Sequence, residues 1–577
     1  MDATLGRLDT TPSDPGRLVT GTGTGTGDVV AGLGPITRRR FLALIGATGA
    51  AAAVGLRTRS ASAQTPPIPA GYVVAWPDGV IAGDPHPEGT VLWTRVEAPA
   101  GAEPVPVTWE VATDESFTTI VAGGVAVAES AADWTVKVPV TGLTPDGWFR
   151  YRFTVGPDAS PVGRLRTAPP EGAATSSLRF GFASCQQQGT ERVAQRAAAE
   201  EDGLDFFMHL GDYVYVNDGA TISLDDYRGV YHQFKGDARL QQLQAALPLV
   251  AMWDDGEFRN GIDRTEDPAR ALAAKTAWFE TMPVEAPGGD VTRPYRKVAW
   301  GDLVDLFLIE TRSRRDPELD EDDPGASTAG RTCLGAEQKA WLLDGLATST
   351  ARWKLIGNPT DFAPWANLDP SKRGFGGWDD YAAERDEILA VISEQGITDV
   401  AFLCGETHVW IAAHLTTDFA DPEAPAVAFA FTTSSQSADP DLVRDAGGDP
   451  YAATQGFVNI GFGSTVLNPH QTYVNLVNFG YTVVQVDECA LTVEFRTVNV
   501  YDVDSQPQTL ARFRVAHGAT RMDTEIADIP CLSAPDPSRT IESPFPSTGL
   551  SAVPEAVGGV CPLPAAEPVP VSPAFTG

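Results

Sequence analysis

Phe207-Met-His-Leu-Gly-Asp212-Tyr-Val-Tyr215 places a carboxylate and two phenols directly after a run of apolar residues. Polar residues follow apolar runs in the same way at three further points, which are Phe180-Gly-Phe-Ala-Ser-Cys185, Ala251-Met-Trp-Asp254-Asp255-Gly256-Glu257 and Phe402-Leu-Cys-Gly-Glu406-Thr-His408. In α/β sheets, ligands bind beyond the carboxyl ends of the strands. We therefore expect these four strand ends to bring one thiol, several carboxylates and one imidazole together.

The surrounding sequence predicts an α/β domain over residues 177–515, because apolar strands alternate with helical stretches. The expected strands are 178–184, 206–215, 247–253, 303–310, 353–357 and 399–404, and the expected helices are 191–201, 268–281, 336–348 and 381–395. Four later strands without obvious helices between them, 427–433, 456–462, 481–486 and 491–498, predict an antiparallel portion at the end of this domain.

The side chains at the four strand ends suit a site for two metal ions. Thiolate, phenolate and imidazole are ligands of iron or zinc, whereas carboxylates suit a harder ion such as calcium or manganese. Two ions about 3.5–4 Å apart stabilise a phosphoryl displacement and activate water near neutral pH. Taken singly, Cys185 is more often a core thiol and His408 a hydrogen-bonded polar residue, so the prediction depends on the four strand ends occurring together.

Residues 1–63 are predicted to be an export signal. Arginines at positions 38–40 precede Phe41 and Leu42, an Ala- and Gly-rich run extends to Leu56, and Ala61-Ser-Ala63 fits a cleavage site before Gln64. Paired arginines followed by Phe and Leu are typical of a twin-arginine (Tat) signal. The apolar run is shorter than the roughly 20 residues that span a bilayer. We expect a secreted or cell-envelope protein with no membrane anchor after cleavage.

Residues 64–170 are predicted to form an all-β sandwich domain. Its candidate strands are 90–96, 105–112, 120–127, 135–140 and 148–155, with turn signals such as Pro77-Asp-Gly79 and Pro145-Asp-Gly147 between strands. Leu143-Thr-Pro145 followed by Trp148 and Tyr151 resembles the corner of fibronectin type III domains. Residues 516–577 are rich in Pro, Ser and Ala and are predicted to wrap the surface as a tail.

The composition narrows the possible functions. A chain with 43% hydrophobic and 20% charged residues is predicted to be globular. A net charge of −34 argues against nonspecific nucleic-acid binding, which Lys and Arg supply. We expect buried free thiols at four of the six cysteines, which are Cys185, Cys333, Cys404 and Cys489. The other two, Cys531 and Cys561, are candidates for a disulfide.

Further motifs extend the four strand ends into an ordered series. They are Ser184-Cys185, Gly211-Asp-Tyr-Val-Tyr215, Trp253-Asp-Asp255, Gly357-Asn358, Trp378-Asp-Asp-Tyr381 with Arg385, Gly405-Glu-Thr-His408 and Asn468-Pro-His470. This series resembles the metal motifs and flanking segments of the PhoD-type alkaline phosphatases, and Asp78-Gly79 through Leu92-Trp-Thr-Arg95 resembles that family's accessory β-domain. The resemblance implies a four-layer metallophosphoesterase-like α/β sandwich, preceded by the fibronectin-like domain, that hydrolyses phosphate esters.

Carried over to these positions, the resemblance also implies the ligands of two ions. Fe³⁺ would be held by Cys185, Asp212, Tyr215 and His408, and Ca²⁺ by Asp212, Asp255 and Glu406. Asp212 would therefore bridge the two ions, and Asp212 and Asp255 would be central to catalysis. Asn358 and Arg312 are candidates for contacting the phosphate oxygens, and a surface or core-paired arginine is an open alternative for Arg312.

Two positions depart from the family pattern. Glu406 stands where the family usually has Asp, which lengthens the side chain by one methylene. Gly256 stands where the related Trp-Asp-Asp-His-Glu pattern has a histidine that is a candidate proton donor. We expect either that His470 or His232 supplies the proton, or that the leaving group departs without an acid and Gly256→His restores one.

The expected function is hydrolysis of small phosphate mono- or diesters by an exported, monomeric enzyme. Two alternatives stay open. One is a phospholipase D-like phosphodiesterase on the same scaffold. The other is a degenerate, non-catalytic phosphate-binding protein, which Gly256 suggests.

Overall fold

The computed structural model describes residues 74–97, 104–187, 192–216, 220–320, 322–365, 377–438, 468–476, 478–500 and 502–527. The predicted export signal, the predicted strand 456–462 and both Cys531 and Cys561 lie outside these ranges. No helix of the described part has the length and apolar character needed to cross a membrane.

Strands and helices follow one another along the chain in a pattern close to the predicted one. The strands are β1 (Val80–His86), β2 (Gly89–Arg95), β3 (Val105–Ala112), β4 (Ile120–Ala128), β5 (Thr135–Val140), β6 (Trp148–Val155), β7 (Asp158–Ala159), β8 (Gly163–Arg166), β9 (Ser177–Ala183), β10 (Phe206–Leu210), β11 (Leu249–Met252), β12 (Arg296–Trp300), β13 (Val304–Leu308), β14 (Trp353–Asn358), β15 (Val400–Cys404), β16 (Trp410–Leu415), β17 (Ala428–Thr432), β18 (Gln471–Asn475), β19 (Phe479–Asp487), β20 (Ala490–Val498), β21 (Gln508–Ala516) and β22 (Asp523–Ile526). The α-helices are α1 (Val193–Glu200), α2 (Leu224–Lys235), α3 (Ala238–Ala246), α4 (Pro268–Thr281), α5 (Gly335–Thr348) and α6 (Ala382–Glu394).

Two mixed sheets carry the fold. The first has ten strands in the order β22-β21-β20-β19-β9-β10-β11-β1-β2-β5, and the second has seven in the order β12-β13-β14-β15-β17-β16-β18. The centre of each sheet is parallel, with β9, β10 and β11 side by side in the first and β13, β14 and β15 in the second. Strands β19, β20 and β21 pair antiparallel, which confirms the antiparallel portion expected for residues 481–486 and 491–498. The predicted strand 427–433 corresponds to β17, which pairs parallel with β15 and antiparallel with β16.

The sheets and helices form four layers. Side chains such as Phe180 and Met208 of the first sheet share one core with Leu306 and Leu355 of the second. On its other face, the first sheet packs against α1 to α4, and the second packs against α5 and α6. Because both faces of the central strands are covered, most residues of these strands are apolar. The predicted four-layer arrangement is therefore what the structure has.

Local signals explain where two of the helices begin. In α4, Asp267 accepts hydrogen bonds from the N–H groups of Ala269 and Arg270, and a proline occupies the first turn. The start of α2 has a capping box, in which the side chains of Ser223 and Asp226 each accept a hydrogen bond from the other residue's backbone N–H. The sequence predicted α4 and missed both α2 and α3.

The N-terminal region is joined to the α/β domain through a shared sheet. All five strands predicted there form, but β1, β2 and β5 extend the ten-stranded sheet by way of β1 and β11. The remaining strands, β3, β4, β6, β7 and β8, form a separate five-stranded sheet that shares a core with β1, β2 and β5. The prediction of a separate sandwich domain therefore needs correction, because two of its five predicted strands, β2 and β5, belong to the larger sheet together with β1.

Two further expectations are corrected near the end of the described chain. Strand β22 lies within the predicted tail and pairs with β21, so the first sheet continues past residue 515. Cys489 is disulfide-bonded and is not the free thiol that was expected. Cys185, Cys333 and Cys404 are free and buried, as predicted.

Candidate metal centre

The loops that follow β9, β10, β11 and β15 bring the predicted ligands together. Two groups of side chains have ligand atoms within 4.8 Å of one another; the first is Cys185, Asp212 and His408, and the second is Asp212, Asp254, Asp255 and Glu406. Asp212 belongs to both groups. The shared carboxylate is the arrangement expected of a residue that bridges two ions.

Tyr215 completes the first group. Its hydroxyl lies 3.1 Å from Nε2 of His408, and Sγ of Cys185 lies 3.6 Å from Oδ2 of Asp212. Tyr215, His408 and Glu406 are half-buried, whereas Cys185 and Asp212 are buried. The solvent-accessible side of the cluster is therefore the side of Tyr215, His408 and Glu406.

Four of the predicted ligands have left-handed backbone conformations. The φ angle is +60° at Cys185, +55° at Asp212, +72° at Glu406 and +54° at His408. Residues other than glycine rarely adopt this region, and such strain concentrates at functional sites because the surrounding structure must hold it in place. It also ends β10 at Leu210, five residues before the predicted end at Tyr215.

The cluster confines several acidic groups in little space. Burial, and then the charge of Glu406, raises the pKa of Asp212 well above its usual range. Burial also raises the pKa of Asp255 to about 6. Burial and the charge of Asp212 raise the pKa of the Cys185 thiol and of the Tyr215 hydroxyl. These groups are short of positive charge, and a bound cation favours their deprotonated forms.

Arg312, which follows β13, is buried and pairs with the carboxylates of the second group. Its guanidinium contacts both oxygens of Asp254, and it lies 3.1 Å from Oδ2 of Asp255 and 2.7 Å from Oε1 of Glu406. Burial raises the pKa of Glu406, but the charge of Arg312 and the hydrogen bonds with Asp254 and Arg312, together with His408, outweigh burial and lower this pKa to about 2. Of the two interpretations of Arg312, the core-paired one describes its contacts in the structure.

Three other candidate residues make contacts elsewhere. Asn358 is fully buried at the end of β14, where its side chain bonds the carbonyl of Thr360 and the indole of Trp378. His470 bonds the carbonyl of Pro364, and His232 pairs with Asp133 of the N-terminal region. The structure brings none of these three side chains into the ligand groups.

Gly256 makes a close contact that the sequence did not predict. Its N–H donates to Oδ1 of Asp212 at 2.8 Å, and a Cβ on Gly256 would lie 2.5 Å from that oxygen and 2.6 Å from the carbonyl oxygen of Val214. The φ of Gly256 is not left-handed, so what requires glycine is space rather than conformation. The expectation that Gly256→His restores an acid needs correction, because a side chain there collides with a predicted ligand.

Sequence reasoning missed residues that hold the ligand loops. Glu257 accepts hydrogen bonds from backbone N–H groups on both sides of the cluster, and burial raises its pKa to about 7. Ser434 and Ser435, which follow β17, donate to the carbonyls of His408 and Cys185 respectively. Glu257 was visible as a third carboxylate after β11, whereas nothing in the sequence marks the two serines.

Two family models match this chain. The sequence model described as PhoD-like phosphatase matches residues 180–495, which is more than half of the chain. The chain belongs to the PhoD-like phosphatase family. The model described as PhoD-like phosphatase, N-terminal domain, matches residues 64–169, so both parts of the family's organisation are present.

Three known proteins show the range of similarity to this chain. Alkaline phosphatase D of Bacillus subtilis (strain 168) is 34% identical over 384 residues, which are 59% of this chain and 66% of that protein. The chain therefore spans just under two thirds of that relative. A solved structure of PhoD is 28% identical with a TM-score of 0.71, covering 79% of this chain and 93% of that one. A purple acid phosphatase from yellow lupin (Lupinus luteus) seeds is 11% identical with a TM-score of 0.48, and the match covers 76% of this chain and 73% of that one.

Proposed function

We propose that this protein is an exported, metal-dependent phosphoesterase that hydrolyses small phosphate mono- or diesters. The observation that carries the proposal is the pair of donor groups joined by Asp212. Membership of the PhoD-like family supports the same reaction, and alkaline phosphatase D of Bacillus subtilis is a relative whose name states a phosphatase activity.

The donor chemistry of the two groups fits two different ions. Thiolate, phenolate and imidazole together suit iron, so we assign Fe³⁺ to Cys185, Asp212, Tyr215 and His408. Carboxylates suit a harder ion, so we assign Ca²⁺ to Asp212, Asp255 and Glu406. Asp254 lies within reach of this second group as well. When bound, such ions supply positive charge to a phosphate ester and activate water for attack on phosphorus.

The side chains of the chain itself set the geometry and charge. Asp212 links the two groups, and Asp255 is oriented by the N–H of Gly261 at 2.8 Å. Arg312 neutralises part of the charge of Asp254, Asp255 and Glu406. Its main role is therefore to order these acids rather than to contact phosphate. A substrate approaches from the half-buried side of the cluster.

Gly256 favours an enzyme over a degenerate binding protein. The glycine amide orients Asp212, and the space that glycine leaves lets the loop after β11 approach that carboxylate. Gly256 therefore supports the cluster, and its presence is no sign that the site has decayed.

An activity panel on metal-analysed protein tests the proposal. The purified mature chain is assayed against a phosphate monoester, a phosphate diester and a phospholipid, before and after removal of metal with a chelator. We expect hydrolysis of the monoester or the diester that chelation abolishes and metal restores. Preference for the phospholipid identifies the phospholipase D-like alternative, and metal-loaded protein that hydrolyses none of the three contradicts the proposal.

A further inference from the structure

Glu257 joins two of the ligand loops with one buried carboxylate. Its Oε2 accepts hydrogen bonds from the N–H of Asp212 at 3.0 Å and the N–H of Asp254 at 2.8 Å, and its Oε1 accepts from the N–H of Tyr213 at 2.8 Å. The side chain has no exposed surface. Glu257 therefore fastens the loop after β10 to the loop after β11.

The loop after β10 needs such a fastening because its backbone is strained. Gly211 has a φ of +96° and Asp212 has a φ of +55°. The two loops also pass very close together, since a Cβ on Gly211 would lie 2.4 Å from Cβ of Asp254. Glycine adopts a positive φ readily, whereas Asp212 does so at a cost, so an isolated chain would leave this conformation at Asp212. The N–H groups of Asp212 and Tyr213, held by Glu257, fix it.

Asp212 is then held at two points. Glu257 accepts a hydrogen bond from the backbone N–H of Asp212. Gly256, the residue before Glu257, donates its own N–H to the carboxylate of Asp212 at 2.8 Å. Glu257 also fixes the backbone of Asp254, which belongs to the second donor group. One side chain that contacts no substrate thus sets the position of residues in both groups.

We propose that Glu257 is a positioning residue that holds Asp212 and Asp254 at the spacing both metal ions require. The inference rests on the proposed function, because it assumes that the cluster binds metal. It predicts that loss of Glu257 weakens retention of both ions, although Glu257 is a ligand of neither. A carboxylate that served only to stabilise the fold would change the melting temperature and leave metal retention unchanged.

Glu257→Gln and a matched control separate these roles. Glutamine keeps the size but has only one acceptor oxygen, so at least one backbone N–H then faces another donor. The control is Asp399→Asn, which alters a buried carboxylate that accepts from the N–H of Gly518 at 2.7 Å. Asp399 precedes β15, at the end of that strand opposite to Glu406.

The readout is the dissociation constant of Fe³⁺ and of Ca²⁺ for the full mature chain, with the melting temperature measured on the same samples. We expect Glu257→Gln to weaken both ions by about 10- to 100-fold, as for residues that orient metal ligands. Asp399→Asn should lower the melting temperature and retain both ions as the wild type does. Glu257→Asp keeps the charge on a shorter arm, and we expect it to weaken both ions less than Glu257→Gln.

The possible outcomes distinguish this inference from the proposed function. Wild-type protein that binds neither ion contradicts the proposed function itself. Wild-type protein that binds both, with Glu257→Gln binding them equally well, contradicts the positioning role. Failure of both Glu257 variants to fold also contradicts it, because the inference predicts folded protein with weakened metal binding.

Discussion

The backbone N–H of Gly256 donates to the carboxylate of Asp212 at 2.8 Å, and no room remains between the two residues for a side-chain carbon on Gly256. We therefore predict that Gly256→Ala displaces Asp212. The collision should cost about 1–3 kcal/mol in the free energy of unfolding, and metal affinity or kcat/KM should fall by about 10- to 100-fold. Metal analysis and steady-state kinetics on one preparation check both effects.

Gly229→Ala is the matched control for this change. Gly229 lies inside α2, and a Cβ there meets no atom within 4 Å. We expect unchanged activity and a stability that is equal to the wild type or higher by up to about 1 kcal/mol, because alanine favours a helix. If Gly256→Ala keeps full metal content and full activity, the close contact with Asp212 is not the reason that glycine occupies this position.

Arg312→Met tests whether the guanidinium and a metal ion share the task of neutralising the second donor group. The variant leaves Asp254, Asp255 and Glu406 without their arginine, and breaking a buried ion pair costs about 3–5 kcal/mol. A bound cation replaces part of the lost charge. We expect the loss of melting temperature to be larger in metal-free than in metal-loaded protein.

Arg314→Met serves as the comparison for Arg312. The closest ion-pair distances of Arg314 are 3.8 Å to Glu310 and 4.0 Å to Glu337, and it touches no residue of the donor groups. The melting temperature of the Arg314→Met variant should differ little from that of the wild type, and the difference should be the same with and without metal. An Arg312→Met loss that is the same in both forms would contradict the shared role.

Trp93→Ala tests the joining of the N-terminal region to the ten-stranded sheet. Trp93 of β2 has no exposed surface, packs in the core beneath the helices of the first sheet, and donates its indole N–H to the carbonyl of Glu280 at 2.7 Å. We predict a loss of about 3–5 kcal/mol in the free energy of unfolding, measured by denaturant titration. Trp109→Ala, in the five-stranded sheet, should cost less because Trp109 is only partly buried. Equal losses would argue against a shared sheet.

The sequence indicated the fold and the ligands where a local pattern determines them. Apolar runs followed by Cys185, Asp212 and Glu406 predicted the cluster because ligands bind beyond the carboxyl ends of the strands. The sequence did not show that β15, which precedes Glu406, lies in a different sheet from β9 and β10. Helix α4 was predicted with the ends it has in the structure, and Asp267 and Pro268 mark its start. Helix α2 carried a comparable signal, since its buried residues include Tyr227 and Tyr231 at helical spacing.

What the sequence could not give depends on contacts between distant segments. The pairing of β1 with β11 joins Gly83 to Leu249, and no local pattern specifies it. The contact of Arg312 with Glu406 likewise depends on how two strand ends approach. Gly256 was interpreted as a lost histidine because the space it leaves for Asp212 exists only in the folded protein.

Export is tested on the intact precursor. Arg38 and Arg39 are the paired arginines of the predicted Tat signal, which a receptor recognises. We predict that changing both to Lys keeps the precursor in the cytoplasm, as measured by fractionation and immunoblotting. Arg57, beyond the apolar run, changed to Lys is the control and should leave export intact. Normal export of the double variant would indicate the general secretory route.

The central claim, that Cys185, Asp212, Tyr215 and His408 hold iron, is tested most directly by the visible absorption spectrum of the purified protein, with iron measured on the same sample. A tyrosinate bound to Fe³⁺ gives a charge-transfer band, so the account predicts iron and a band in the wild type. Tyr215→Phe should remove the band, whereas Tyr213→Phe should keep it, because the Tyr213 hydroxyl is bonded to Gln244. Wild-type protein without iron, or a band that survives in Tyr215→Phe, would contradict the account.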